Sequence, residues 1–292
     1  MEEQKNSMNI QWYPGHMTKT RRMMEEDLKL VDAVCEILDA RIPISSRNPD
    51  IDAICGKKPR MVILNRIDMA DADLVSRWSN YFKGKGMAVI RTDCKSRKGI
   101  NTFAPAVRQL LAEKLQRYAE KGQVGRPLKL MVVGIPNVGK STFINQIAGR
   151  KGAKAENRPG VTRGKQWVNV DGGLLLLDTP GILWPKFDDP EVGMRLAYTG
   201  AVKDDILDTE TLGCHLMELL AREYPGALTE RYKIEIPAEI DGWELLQAAG
   251  RKRGFLVSGG EVDTERMAKV LLDEYRSCKL GTFTLERPEE LA

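Results

Sequence analysis

The chain has 292 residues, of which 42% are hydrophobic and 29% are charged, and its formal net charge is +4. This length and apolar content suffice to bury one large core with a smaller appendage, which excludes a disordered protein. No apolar run approaches the roughly 20 residues that span a bilayer, and the N-terminus carries neither a secretory nor a transit signal, so we expect a cytoplasmic protein with no membrane partner.

Six short runs of β-branched or leucine-rich sequence predict strands in the first part of the chain. They cover residues 31–38, 60–64, 87–91, 128–133, 166–170 and 174–178. Helical patterns lie between several of these runs, at 71–82, 101–120 and 140–148. Such alternation predicts an α/β fold with a mostly parallel six-stranded sheet that is covered on both faces.

Beyond Pro185 the strand signal disappears, and amphipathic helical patterns follow at 212–224, 242–249 and 263–275. We therefore predict two domains, an α/β domain at 1–187 and a small all-α domain at 188–292. Their charges differ, because residues 1–187 carry 32 basic and 19 acidic side chains whereas residues 188–292 carry 13 and 22. A basic half suits a phosphate-rich partner, although a soluble surface without a partner is the alternative.

The fourth predicted strand leads into a glycine-rich loop and then a helical pattern. The loop reads Gly134-Ile135-Pro136-Asn137-Val138-Gly139-Lys140-Ser141, and Thr142 follows it. The order strand, loop, helix is that of a phosphate-binding loop, whose backbone N–H groups surround phosphate oxygens, and residues Pro136 to Thr142 are the candidate nucleotide-binding positions. We expect Lys140 to reach the β- and γ-phosphates and Ser141 to bind Mg²⁺. A plain glycine turn is the weaker alternative.

Two further segments predict contacts to the γ-phosphate and its metal. Asp178-Thr179-Pro180-Gly181 ends the last predicted strand, so that the Asp178 carboxylate can hold Mg²⁺ through water and Gly181 can offer a backbone N–H. Thr162 is the candidate switch residue that closes on Mg²⁺ in the triphosphate state. By themselves, these segments would be a strand-ending turn and an ordinary surface loop.

A guanine-reading motif, Asn65-Arg66-Ile67-Asp68, ends the second predicted strand. An Asp68 carboxylate that accepts hydrogen bonds from N1–H and the exocyclic N2–H of guanine rejects adenine. Arg66 replaces the usual lysine, and since its stem and planar head can still cover the base, we expect altered affinity for guanine rather than lost specificity. After the next strand, Asp93-Cys94-Lys95 occupies the place of a loop whose backbone N–H contacts guanine O6, a contact that tolerates Cys94.

The base motif precedes the phosphate loop, which is the order of circularly permuted GTPases, and within them the sequence resembles the ribosome biogenesis GTPase A (RbgA/YlqF) family. The resemblance covers nearly the whole chain, and Arg66 and Cys94 depart from its pattern. Its specific residues are Trp12-Tyr13-Pro14-Gly15-His16-Met17, Asp39-Ala40-Arg41-Ile42-Pro43, the phosphate loop, Pro159-Gly160-Val161-Thr162, Asp178-Thr179-Pro180-Gly181 and a C-terminal run from Arg251 to Gly281.

The resemblance implies a P-loop GTPase that uses GTP/GDP and Mg²⁺ and acts late in assembly of the large (50S) ribosomal subunit. It also implies stimulation by that subunit, contacts to rRNA and ribosomal proteins of its precursor, and a monomer off the ribosome. The helical domain then resembles an RNA-binding bundle, with its contact confined to a basic patch because its net charge is negative. That patch, which a solvated helical face would also explain, comprises Arg251, Lys252, Arg253, Lys269, Arg276 and Lys279.

The catalytic water needs a partner, because Ile182 stands where many GTPases have a glutamine and an alkyl side chain cannot orient water. The resemblance points to His16, whose neutral imidazole can do so; packing of the N-terminal arm is the alternative. Asn137 matches the pattern of potassium-activated GTPases, in which its oxygen helps to bind K⁺, although it could simply brace the loop.

Two other functions remain open at this stage. One is a nucleotide-dependent RNA-binding or scaffolding protein whose hydrolysis is incidental. Ile182 is consistent with this alternative because it cannot orient a catalytic water. The other is an ATP-using enzyme with the same phosphate loop, which Asp68 disfavours.

Overall fold

The computed structural model describes residues 15–149, 166–170, 172–179, 189–202 and 208–291, with side chains from residue 21 onward. Within these ranges the chain divides into two compact units, the first formed by Met1–Asp188 with Phe283–Ala292 and the second by Asp189–Thr282. Among the described residues, no helix combines the length and the apolar character that crossing a membrane requires.

The first unit is built on a six-stranded sheet. Its strands are β1 (Ala33–Asp39), β2 (Arg60–Asn65), β3 (Ala88–Thr92), β4 (Leu128–Val133), β5 (Gln166–Val170) and β6 (Leu174–Asp178). They lie in the order β3-β2-β1-β4-β6-β5, and β5 alone among them runs antiparallel to its neighbour. This confirms the predicted α/β class and the mostly parallel sheet.

Helices cover the sheet on both sides. They are α1 (Gly15–Leu28), α2 (Ile51–Cys55), α3 (Ala72–Gly84), α4 (Phe103–Leu110), α5 (Ala112–Glu120) and α6 (Lys140–Ala148). All seven residues of β1 are buried, and successive side chains of a strand point to opposite faces, so neither face of the central strand is open to solvent. On one face, Trp78 and Phe82 of α3 pack on Leu38 of β1.

The predicted helix at 101–120 was wrong in one respect, because the structure breaks it at Leu111. A short 3₁₀ turn at Ile100–Thr102 leads into α4, and Leu111 leaves helical geometry with φ −108° and ψ 23° before α5 begins. Leu111 is buried whereas no side chain of α5 is. The chain therefore turns away from the core at this residue, and α5 is a solvated helix.

The second unit consists of five helices in the described part of the chain. They are α7 (Pro190–Tyr198), α8 (Thr209–Glu223), α9 (Pro225–Tyr232), α10 (Gly242–Lys252) and α11 (Thr264–Arg276). Four of them begin at an aspartate that accepts a backbone N–H of the first turn, namely Asp189, Asp208, Asp241 and Asp263. Part of the acidic excess of this region therefore caps helix N-termini.

The final residues depart from the predicted division at 187/188, because segment 283–291, here called the tail, belongs to the first unit. Its backbone and side chains bond to the loop after β1 and to the start of α3. Phe283 N–H donates to the Met69 carbonyl at 3.1 Å, and Leu285 N–H donates to the Arg41 carbonyl at 2.8 Å. Periodicity in the sequence does not report such pairing, since the partners lie more than 200 positions apart.

Candidate nucleotide-binding site

The sheet register brings the predicted site residues to one edge. Asp39, Asn65 and Thr92 are directly paired across β1, β2 and β3, and Asp178 pairs with Val132 on the other side of the sheet centre. The carboxyl ends of parallel strands therefore meet here, which is where ligands bind in open α/β sheets. Motifs that are far apart in the sequence become neighbours at this edge.

Asn65 connects three of these motifs through its side-chain amide. Its Nδ2 donates to the Val138 carbonyl of the phosphate loop at 2.8 Å. Its Oδ1 accepts from Thr92 Oγ1 and from the Cys94 backbone N–H, both at 3.2 Å. The residue is buried, so loss of either amide atom would leave buried polar groups unsatisfied, at about 1–3 kcal/mol each.

The phosphate loop follows β4 and ends at α6, as predicted. Gly139 caps α6 with φ +94°, and a Cβ atom at this position would lie 2.3 Å from Asn65 Nδ2. The glycine is therefore required both for the left-handed backbone and for the close approach of the base motif. Ser141 and Thr142 are exposed on the first turn of α6, where helix N–H groups and the helix dipole favour an anion.

Lys140 and Asp178 form a buried ion pair behind the phosphate loop. The Lys140 ammonium donates to the Asp178 carboxylate and to the Thr179 carbonyl, and both charged side chains are largely shielded from solvent. The Thr179 hydroxyl donates to the Val132 carbonyl at 2.8 Å, which holds the end of β6 against β4. The ammonium is thus placed between the two segments that were predicted to meet a triphosphate.

Arg66 contacts both the phosphate loop and Asp39. Its backbone has φ +63°, and its guanidinium donates to the Asn137 carbonyl and lies 3.6 Å from the Asp39 carboxylate. Contact of its stem and head with a base stays a prediction. In the structure, Arg66 joins the base motif to the phosphate loop through a charge-assisted hydrogen bond.

The pair of Asp39 and Arg41 is the feature of the site that sequence reasoning missed. Arg41 Nε and Nη2 donate to the two Asp39 oxygens at 3.0 and 2.8 Å, and both side chains are almost completely buried. Burial acts to raise the pKa of Asp39. The positive charges of Arg41 and then Arg66 lower the pKa by more than burial raises it, so the pKa lies below its ordinary value. In the sequence, Asp39-Ala40-Arg41 is part of the family pattern, but nothing there predicts the buried ion pair.

Asp68 is exposed beside a second carboxylate. Partial burial, followed by the charge of Asp93, raises the pKa of Asp68 above its ordinary value. Burial also acts to raise the pKa of Asp93, but hydrogen bonds from Ser96 and the Lys95 backbone bring it below its ordinary value. Two N–H donors of a base would favour the ionised form of Asp68.

The loop after β3 is held together by internal hydrogen bonds. Asp93 accepts from the Lys95 N–H at 2.8 Å, and the Cys94 N–H donates to Asn65. Burial raises the pKa of the Cys94 thiol to about 11, so the thiol stays protonated near neutral pH. The N–H that was expected to contact guanine is engaged by Asn65, and the base contact of this loop stays a prediction. Lys95 is exposed.

Three predicted site residues cannot be placed by their side chains. Thr162 and Gly181 lie outside the described residues, and His16 lies on α1 with its side chain outside them. Pro136 is half-buried and Asn137 is exposed in the phosphate loop. Asn137 has φ +63°, a left-handed conformation that asparagine tolerates better than most residues.

Two of the six residues in the basic patch predicted on the helical unit bond within that unit, and the other four are exposed. Arg253 pairs with the buried Glu274, and Arg276 donates to the Ala197 and Tyr198 carbonyls. These two arginines therefore stabilise the helical unit itself. The other four members of the patch are exposed, namely Arg251, Lys252, Lys269 and Lys279.

Comparison with known proteins agrees with this arrangement. Residues 129–224 match the family described as 50S ribosome-binding GTPase. The chain is 48% identical over 285 residues to a protein of Priestia megaterium named ribosome biogenesis GTPase A, covering 97% of this chain and 98% of that protein. A GDP-bound structure of TM YlqF is 27% identical with a TM-score of 0.68, covering 92% of this chain and 100% of that one.

Proposed function

This chain belongs to the ribosome biogenesis GTPase A family of GTP-hydrolysing proteins, and on that premise we propose that it is a switch in late assembly of the large (50S) ribosomal subunit. In this proposal the subunit precursor stimulates hydrolysis, and the chain is monomeric and cytoplasmic when off the ribosome. The nucleotide-binding part of the proposal is supported by the junction at Asn65, where the base motif, the base loop and the phosphate loop bond to one side chain, and the ribosomal part by the names of the relatives.

We assign guanine recognition to Asp68, which stands on the solvent side of this junction. A carboxylate accepts from two N–H donors on one edge of guanine, and adenine does not offer that pair. Arg66, two residues before Asp68, joins the base motif to the phosphate loop by donating to the Asn137 carbonyl. The ATP-using alternative is accordingly disfavoured.

Phosphate binding falls to the loop and the first turn of α6. Lys140 would neutralise the β- and γ-phosphates by turning from Asp178, its partner in the structure, toward the nucleotide. Ser141 and Asp178 offer a hydroxyl and a carboxylate, which are the oxygen ligands that Mg²⁺ prefers. When bound, Mg²⁺ would neutralise charge on the phosphates, and Thr162 and Gly181 are proposed to report the γ-phosphate.

We expect subunit-stimulated hydrolysis to depend on His16. His16→Ala should retain GTP binding while lowering turnover in the presence of large ribosomal subunits by an order of magnitude or more, because an alanine cannot orient the attacking water. Phosphate release would be measured with and without purified subunits. Glu25→Ala is the control, since Glu25 is exposed on the same helix and pairs with Arg21 across one turn.

Two outcomes would count against the proposal in different ways. Equal stimulation of His16→Ala and Glu25→Ala would remove His16 from catalysis. An absence of any stimulation in the unaltered protein would instead favour the scaffolding alternative, in which the nucleotide controls RNA binding and hydrolysis is incidental.

Potassium should accelerate hydrolysis relative to sodium by about tenfold or more. The side-chain oxygen of Asn137 stands exposed in the phosphate loop and can join nucleotide oxygens around a monovalent cation, which adds positive charge near the transferred phosphate. The rate would be measured at constant ionic strength in KCl and in NaCl, with Asn137→Ala as the comparison. Equal rates in the two salts would exclude a role for K⁺.

A further inference from the structure

The tail, residues 283–291, runs along both flanks of the guanine motif. On one flank, the Thr284 hydroxyl donates to the Ala40 carbonyl at 3.1 Å, and Ala40 N–H donates to the Asn65 carbonyl at 2.9 Å. On the other flank, Phe283 N–H donates to the Met69 carbonyl at 3.1 Å, one residue after Asp68. The Thr284 hydroxyl also accepts from the Asp71 N–H at 3.2 Å, so one side chain bridges the two flanks.

Glu286 fixes the loop that follows β1. Its carboxylate accepts from the backbone N–H groups of Ile44 and Ser45 at 2.6 and 2.9 Å, and from the Ser45 hydroxyl. Glu286 is only 3% exposed, and a carboxylate with several N–H donors in a buried site makes strong, directional bonds. A charged side chain buried at this position therefore holds the loop in one conformation.

The loop transmits this restraint toward the base motif. The Ser46 hydroxyl accepts from the Asp39 N–H at 3.0 Å, and the Leu285 N–H donates to the Arg41 carbonyl. These contacts orient the Asp39–Arg41 pair, whose carboxylate lies 3.6 Å from the Arg66 guanidinium. Arg66 and Asp68 are two residues apart, so the orientation of one constrains the backbone of the other.

The tail itself is anchored to α3. The Trp78 indole donates to the Glu286 carbonyl at 3.0 Å, and Trp78 is fully buried. At its far end Glu289 pairs with Arg77 on the surface, where an exposed ion pair contributes little to stability. The restraint is thus concentrated in 283–286 rather than spread along the tail.

We propose that Glu286 and Thr284 are positioning residues for guanine recognition, holding residues 65–71 so that Asp68 is presented to the base, a role that rests on the function assigned to Asp68 above. No sequence pattern assigns the tail to the nucleotide site. In this proposal Thr284 acts through the backbone of Ala40 and Asp71, and Glu286 acts through the loop at Ile44 and Ser45 rather than by contact with the base.

The test uses Glu286→Gln and Thr284→Val in the full chain. A glutamine amide turns one N–H₂ toward an N–H donor of Ile44 or Ser45, and valine keeps the shape of threonine while removing the hydroxyl bridge. Affinities for GDP and for IDP would be compared, because inosine lacks the exocyclic amine that Asp68 is proposed to bind. Glu289→Gln is the control in the same segment.

We expect Glu286→Gln to weaken GDP binding by about tenfold and to reduce the preference for GDP over IDP by at least threefold, with kcat at saturating GTP within twofold of the unaltered protein. Thr284→Val should change the preference in the same direction, and Glu289→Gln should leave it unchanged. A variant that only loosened the fold would weaken both nucleotides equally, which would overturn the positioning role.

The remaining outcomes separate this role from the base site itself. If the unaltered protein does not prefer GDP to IDP, the assignment of Asp68 fails and the role of the tail fails with it. If it does prefer GDP and both tail variants keep that preference, the tail alone is excluded. Should Glu286→Gln not fold, judged by circular dichroism, Thr284→Val decides.

Discussion

Replacing Asp68 by asparagine is expected to change the preferred nucleotide from GTP to XTP, with the ratio of the two affinities shifting by about 100-fold or more. Xanthine keeps the N1–H of guanine but has a carbonyl in place of the exocyclic amine. An asparagine amide accepts from N1–H and donates to that carbonyl, whereas against guanine it places a donor opposite a donor. Each mismatched buried group costs about 1–3 kcal/mol, and 1.4 kcal/mol is tenfold in affinity.

Competition of GTP and XTP for a fluorescent GDP analogue would measure the change. Asp73→Asn is a suitable control, because Asp73 is exposed in the first turn of α3, a few residues beyond the motif, and its substitution alters the charge equally. An Asp68→Asn protein that still prefers GTP would place guanine recognition elsewhere in the molecule.

Gly139→Ala should lower the affinity for nucleotide by at least about 100-fold. The added Cβ would lie 2.3 Å from Asn65 Nδ2, so Asn65 must move and give up its bonds to Val138, Thr92 and Cys94. The left-handed backbone at φ +94° adds strain for any residue with a Cβ. We expect the free energy of unfolding to fall by about 2–4 kcal/mol, the sum of strain and unsatisfied polar groups.

Gly149→Ala separates backbone strain from the clash. Gly149 also has a positive φ, at +67°, but among the described residues a Cβ there would meet nothing within 4 Å. Because φ +67° with ψ 179° is a conformation that essentially only glycine adopts, this variant should lose about 1–3 kcal/mol of stability and keep its nucleotide affinity. Mant-GDP titration and thermal unfolding would compare the two. If both glycine variants bind nucleotide like the unaltered protein, the contact between Gly139 and Asn65 does not matter for binding.

Much of the first unit was predictable because its signals are local. The runs at 128–133 and 174–178 coincide with the parallel strands β4 and β6, and the helix predicted at 140–148 coincides with α6. Buried parallel strands require short continuous apolar runs, and a phosphate loop requires its glycines at fixed spacing, so both leave a record in neighbouring residues. The family followed from the same kind of record, and the comparisons confirm it.

The order of the motifs was also in the sequence, together with the residues of the base motif. What they contact within the protein was not, because the bond of Arg66 to the Asn137 carbonyl beside Asp39 leaves no pattern in the sequence. Side-chain direction depends on which charges the fold brings close, and the buried Asp39–Arg41 pair comes within reach of Arg66 only when β1 and β2 pair in register. Long-range electrostatics of this kind has no periodicity to read.

The sequence by itself determined the nucleotide class, the α/β sheet and the family, since each rests on residues that are adjacent or regularly spaced. Only the tertiary structure decided that Asn65 joins three motifs, that Arg253 and Arg276 are taken up by the helical unit, and that the tail belongs with the nucleotide-binding unit. These depend on hydrogen bonds between residues tens to hundreds of positions apart, whose partners are selected by packing rather than by local preference.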